Sequence, residues 1–311
     1  MRVPGFLNGL KPSVKRFHHR ARTAYLNRFH SFTTTDFRDM LRGLGVQAGD
    51  VLCVHSSFNR FLGFRGNIGD AIQVLRDSVG PSGGILMPTQ PFTGSAINYV
   101  RTHPVTDLAR SPSLMGFMTE IMRRTPGVIR SINPTHPVVA WGNKGVPLVG
   151  NDWEAHTPCG QGTAYYRLLE SDGKILMLGT SMQPMTFYHC VEELIEPLMS
   201  FSPFTAEEFT LQTKDAKGNL YTSRMRLFEP VLSGKRRMSL LVPELKGRGF
   251  WREARVGRLE VIFLRATDVL EACLSMAKKG RFCYLSDSKR WGRSTAGKAA
   301  LFAKHSTDWI D

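Results

Sequence analysis

The chain contains no uninterrupted run of about 18 apolar residues, so a membrane-spanning helix is not expected. Its five cysteines, Cys53, Cys159, Cys190, Cys273 and Cys283, are odd in number and include no C-x-x-C pair. That disfavours a disulfide framework and a zinc ribbon, and points to a reducing, cytoplasmic compartment. No H-E-x-x-H motif or cysteine ligand set is present, so no metal is expected. The glycine spacings match neither a P-loop nor G-x-G-x-x-G, which weakens a nucleoside-triphosphatase or dinucleotide reading. No G-x-S-x-G elbow marks a serine hydrolase. Internal repeats and low-complexity tracts are also lacking. A secretory signal is not expected, because the apolar stretches around Val3, Phe6 and Leu10 are broken by Pro4, Gly5 and Gly9. A transit peptide is disfavoured by the scarcity of serine near the start.

Acidic residues are missing from positions 1–35, where seven Lys/Arg stand. The formal net charge of +15 is therefore concentrated at the ends: +7 over 1–35, +5 over 278–311 and +3 over everything between. Basic ends are either solvated arms or segments drawn to an anionic surface. Residues 12–30 place Val14, Phe17, Ala21, Ala24 and Tyr25 at helical spacing among basic residues, which predicts a basic amphipathic helix.

What is present is ordinary globular composition, 42% apolar and 22% charged, with alternating strand and helix signals. Thr33 to Asp36 caps a helix running to about Leu44. Val51–Val54, Ile85–Met87, His136–Trp141 and Lys174–Gly179 read as buried strands. Asp70–Val79, Ser113–Arg124 and Ala266–Ala277 read as helices. Phe209–Lys214 and Leu220–Met225 flank a Lys-Gly-Asn turn and read as a hairpin. Residues 234–258 read as loop and Val256–Arg265 as one strand. The pattern predicts an α/β fold with an internal sheet and a small β-rich portion toward the C-terminus. The expected organisation is a basic arm over 1–32, one domain over 33–277 and a basic tail over 278–311.

Three constellations could carry chemistry. His55-Ser56-Ser57-Phe58 follows a buried strand and leads into a glycine-rich turn, where ligands gather at a strand's carboxyl end. His189 and Glu192 stand at i and i+3 on one helix face, and a carboxylate beside an imidazole orients it as a general base. Such a pair, read alone, is more often structural than catalytic. Asn133 to Pro137 and Glu154 to Thr163 are polar loops carrying His136 and His156. Cys190 would face away from His189 and reads as a buried structural thiol.

Taken in order, the segments V-H-S-S-F (54–58), G-G-I-L-M-P-T (83–89), D-L-A-R-S-P-S-L-M-G (107–116), R-S-I-N-P-T-H-P-V-V-A-W-G (130–142), H-T-P-C-G-Q-G-T-A-Y-Y-R-L (156–168), G-K-I-L-M-L-G (173–179) and T-F-Y-H-C-V-E (186–192) resemble the aminoglycoside 3-N-acetyltransferase family. The resemblance runs from about Thr35 to Ala277. It implies an α/β/α architecture distinct from the GNAT fold, and acetyl-CoA as acyl donor. His55, Ser56, Ser57, Phe58, Thr89, Arg110, Ser113 and Met115 would line the CoA site. His189 matches the family's catalytic base and Glu192 the acid beside it, for direct transfer to an amine.

Two positions depart from the family pattern: Asn133 replaces a usual histidine and Pro137 a usual serine. The positive balance also suits a polycationic acceptor poorly. The leading expectation is therefore a biosynthetic N-acetyltransferase acting on a nucleotide-, lipid- or polysaccharide-linked amino sugar. Aminoglycoside acetylation, as in antibiotic resistance, is the second reading, and a non-catalytic basic binding protein the third. CoA and an amino-sugar acceptor are the expected partners, with no specific nucleic acid. Peripheral contact with an anionic membrane through the basic ends and a homodimer are left open.

Overall fold

The computed structural model of the chain describes Tyr25 and residues 28–285. The expected helix over 12–30 falls mainly outside the described residues, as does the tail beyond 285. Among the described residues no helix is long and apolar enough to cross a membrane, and no group of side chains could hold a metal ion.

In chain order, α1 (Thr34–Gly43) leads to β1 (Val51–Ser56), α2 (Ile68–Val79), β2 (Gly84–Pro88), α3 (Ala96–Thr102), β3 (Val105–Asp107), α4 (Phe117–Arg123), β4 (Ile129–Arg130) and β5 (Val138–Trp141). Then come α5 (Ala164–Glu170), β6 (Lys174–Leu178), α6 (Tyr188–Ile195), β7 (Phe204–Lys214), β8 (Leu220–Phe228) and α7 (Pro230–Lys235). The last elements are α8 (Val242–Gly247), β9 (Arg252–Val256), β10 (Leu259–Arg265) and α9 (Ala266–Ala277). Reciprocal capping boxes start α1 at Thr33/Asp36 and α2 at Asn67/Asp70.

The main sheet has the order β4-β5-β2-β1-β6-β10-β9. Its centre, β2-β1-β6, is parallel, and the flanking strands are antiparallel. Alternation along the central strands explains why they read as unbroken apolar runs. Leu52, Val54, Leu176 and Leu178 pack on one face with α1, α2 and α4, through Phe37, Leu41, Ile72, Leu75 and Met118. Val51, Cys53, Ile175 and Met177 pack on the other with α5, α6 and α9, through Tyr165, Leu168, Val191 and Cys273. Both faces are covered, as parallel strands require, and the three-layer α/β expectation holds. The β-rich portion is a second sheet, β3-β7-β8.

Four expectations are corrected. The predicted helix over Ser113–Arg124 begins only at Phe117: Gly116 lies at φ +117°, and the Ser113 N–H and hydroxyl are taken by Glu120 and Thr119. Residues 234–258 are not loop but hold α8 and β9, because Leu241 and Leu245 are buried among the basic residues. The strand predicted over Val256–Arg265 is present as β10 but starts only at Leu259, because Gly257 at φ +55° turns the chain back against β9. The β7–β8 hairpin is longer than predicted, starting at Phe204; Asp215 accepts the N–H groups of Lys217 and Asn219 at its turn.

Candidate active site

The carboxyl ends of β1, β2 and β6 lie side by side, and the loops leaving them converge where ligands gather in open α/β sheets. Ser57 donates its N–H to the Leu178 carbonyl, tying the end of β1 to that of β6. Beyond β2, the Gln90 carbonyl accepts the Leu114 N–H, which brings the 108–116 loop against this edge. A Cβ at Gly116 would stand 3.8 Å from the Ser56 carbonyl oxygen. Arg130 fastens the same loop: its guanidinium donates to the Leu108 and Ser111 carbonyls and to both oxygens of Thr89.

The residues expected to line a CoA site thus fall into two groups. Ser56, Ser57, Thr89, Ser113 and Met115 are brought to one edge, with Arg110 exposed beside them. His55 and Phe58 serve the interior. His55 is buried on the α5–α6 side of β1, 3.8 Å from the Cys53 thiol, and burial pushes it down to about 4, so it is neutral. Phe58 stacks on Phe61 at 4.9 Å within a phenylalanine cluster. The Thr89 hydroxyl is consumed by Pro137 and Arg130.

On the same edge α6 begins after Thr186 and Phe187, and the Thr186 carbonyl accepts the His189 N–H. Gln90 Nε2 donates to Thr186 Oγ1, whereas Gln90 Oε1 is buried with no hydrogen-bond partner among the described residues. The His189 ring lies 4.1 Å from Phe228 and 5.6 Å, edge-on, from His136. Its Nδ1 is 3.0 Å from Glu192 Oε2. Burial pushes the imidazole below its ordinary value, Arg236 adds to that, and Glu192 pulls the other way. His136 is also held well below its ordinary value, by burial first and then by His189 and Arg236.

Glu192 is fully buried. Burial raises its proton affinity, but Arg236 and His189 outweigh that, and its carboxyl lies below the usual range. Arg236 grips it with two bonds, Nε to Oε1 at 3.0 Å and Nη2 to Oε2 at 2.9 Å. The Tyr284 hydroxyl donates to Oε1. An ionised carboxylate only accepts, so the Nδ1 facing it carries the proton and Nε2 keeps its lone pair.

Sequence reasoning finds His189 and Glu192 through their helical spacing and misses Arg236 and Tyr284. Arg236 lies in the segment read as loop and Tyr284 in the segment read as tail. The spacing of 44 and 92 residues from Glu192 leaves no local periodicity to detect.

One turn beyond His189, Glu193 faces the 156–163 loop. The Thr157 hydroxyl donates to its carboxylate, and a Cβ at Gly160 would fall 1.9 Å from Oε2. Burial pushes this carboxyl up to about 7, against the Thr157 bond. Glu196 follows, 3.8 Å from Arg226. Asn133 is buried and ties its loop together, donating to the Pro158 carbonyl and accepting the Thr135 and His136 N–H groups. Cys190 is buried, and burial holds its thiol well above the ordinary value, which suits an inert structural residue.

The chain resembles known proteins in both sequence and fold. An aminoglycoside N(3)-acetyltransferase III from Salmonella is 30% identical over 173 residues, which cover 51% of this chain and 59% of that protein. The chain thus matches about three-fifths of the length of this relative. A type IV enzyme from Salmonella is 25% identical over 278 residues, 87% of this chain and 94% of that protein. Among solved structures, aminoglycoside acetyltransferase AAC(3)-IVa in complex with a gentamicin superposes with a TM-score of 0.69 at 21% identity, covering 85% of this chain and 95% of the other. AAC-IIIb in binary complex with CoASH does so with a TM-score of 0.66 at 23% identity, covering 85% and 99%. The family profile described as aminoglycoside 3-N-acetyltransferase matches residues 53–278, so the chain belongs to the aminoglycoside 3-N-acetyltransferase family.

Proposed function

We propose that this protein is an acetyl-CoA-dependent N-acetyltransferase that acetylates an amino group of an aminoglycoside-type acceptor, with His189 as general base. The observation that carries the reading is the 3.0 Å contact between His189 Nδ1 and Glu192 Oε2 at the carboxyl edge of the parallel strands; an ionised carboxylate there keeps the ring proton on Nδ1 and leaves Nε2 to act as the base. The edge formed by Ser56, Ser57 and Met115, braced from beneath by the buried Thr89 and Ser113, fits a donor site, since three loops meet there and Gly116, lacking a side chain, leaves the backbone open to approach. Acetyl-CoA, when bound, supplies the thioester carbonyl for the amine to attack. His189 Nε2 would take the proton the amine sheds, with Glu192 stabilising the imidazolium; as the C–S bond breaks, CoA leaves as the thiolate and receives that proton. The Gln90 Oε1 atom is a buried acceptor that can receive a further N–H.

Net charge alone favours a biosynthetic acceptor. Net charge over the whole chain does not determine the field in a cleft. The relatives that match are named for aminoglycosides, and AAC(3)-IVa is solved with one. The test is CoA release from acetyl-CoA with gentamicin-type amines against nucleotide-activated amino sugars. Turnover of the aminoglycoside is expected. Turnover confined to nucleotide sugars would overturn the acceptor, and release with no amine at all would overturn the transfer.

A further inference from the structure

We infer that Arg236 and Tyr284 are positioning residues that hold the Glu192 carboxylate in the geometry that sets His189, so that the segment 281–285 is a working part of the site. The inference rests on the acetyl-transfer reading, but its geometry stands independently. Residues 281–285 run back along 235–237: Arg236 and Tyr284 form an antiparallel bridge, Arg237 donates its N–H to Cys283, and Leu285 donates to Lys235. This pairing delivers two donors to one fully buried carboxylate. Arg236 occupies both oxygens and Tyr284 adds a second donor to Oε1, which leaves Oε2 as the oxygen shared with His189. The Arg236 guanidinium also lies 5.7 Å over the Tyr284 ring, so each holds the other in place.

With His189 as its only partner, a fully buried Glu192 carboxylate would draw a proton onto the imidazole, and the base would stay protonated at neutral pH. Arg236 supplies the counter-charge instead: it keeps the carboxylate ionised and draws off part of its field. The other titratable groups packed here include His136 from the loop before β5, Cys159 from the 156–163 loop, Tyr188 and Glu193 on α6, Cys273 on α9, and Cys283 beside Tyr284. None of them bridges both carboxylate oxygens.

The experiment is an NMR titration of the His189 imidazole in the full chain, paired with the pH profile of kcat/KM, for wild type, Arg236→Met, Arg236→Lys and Tyr284→Phe. Removing a donor from the carboxylate strengthens its pull on the His189 proton. The expected result is an upward shift of the His189 titration in Arg236→Met by about one pH unit or more. Tyr284→Phe should give a smaller shift in the same direction, and Arg236→Lys a partial return. The acid limb of kcat/KM should move with the titration. If His189 titrates unchanged in Tyr284→Phe and in every Arg236 variant that folds, the inference is overturned. The titration needs no turnover, so it stands or falls apart from the acetyl-transfer reading. Tyr284→Phe deletes one hydroxyl and keeps the test open where Arg236→Met fails to fold.

Discussion

Glu192 Oε2 lies 3.0 Å from His189 Nδ1 and 2.9 Å from Arg236 Nη2, so one buried oxygen serves the base and its counter-charge together. Glu192→Gln keeps the shape and removes the charge. It is expected to lower kcat/KM by about 10²–10⁴-fold, the range for a general base that loses its orienting group. It also leaves a buried guanidinium unpaired, which costs about 3–5 kcal/mol. Steady-state kinetics with a thermal melt checks both. A variant with wild-type kcat/KM would show that Glu192 is only structural.

Glu193 supplies a pH signature. Its carboxyl is raised to about 7 in the folded chain against an ordinary value of 4.5, with burial as the main cause. The folded state therefore binds the proton more tightly than the unfolded one. The resulting stabilisation is full below the unfolded value and is lost as pH rises through about 7. Glu193→Gln removes that loss. Melting curves at pH 5 and pH 8 should show the variant gaining roughly 2 °C or more on wild type at the higher pH only. An equal offset at both values would contradict the assignment.

Gly160 lies against the same carboxylate. Gly160→Ala places its Cβ 1.9 Å from Glu193 Oε2, and the flexible end of the glutamate must yield before the backbone does. The variant is expected to raise the acceptor KM about tenfold, with the acetyl-CoA KM unchanged, since the Thr157–Glu193 hydrogen bond is displaced. A rise in the acetyl-CoA KM instead would place this loop on the donor side.

Arg130 holds the opposite loop. Its guanidinium bonds the carbonyls of Thr89, Leu108 and Ser111 and the Thr89 hydroxyl. Arg130→Met frees the 108–116 loop, and the acetyl-CoA KM should rise by about tenfold or more as the buried acceptors lose their partner. Saturation kinetics in each substrate separates this from the Gly160 effect. An unchanged acetyl-CoA KM would detach the loop from donor binding.

Much of the frame is legible in the sequence because its signals are local. Val51 to Val54 and Lys174 to Leu178 are β-rich runs buried on both faces, and Thr33/Asp36 is a cap visible in four residues. His189 and Glu192 sit three apart, so helical spacing alone aligns them. The rest depends on tertiary contact. Nothing near Ser113 shows that it would brace Thr119 and Glu120 and so delay the helix to Phe117. Leu241 and Leu245 are hidden among Lys and Arg until the fold buries them. Arg236 and Tyr284 reach Glu192 only through long-range closure of the chain, and their surroundings in sequence are basic and unpatterned.

The most direct measurement is kcat/KM for acetyl transfer from acetyl-CoA to a gentamicin-type amine, for wild type and His189→Ala side by side, with circular dichroism to confirm the fold. The account predicts transfer by the wild type and a loss of about 10²–10⁴-fold in the variant, with its secondary structure unchanged. A folded His189→Ala protein that transfers acetyl at the wild-type rate would contradict it.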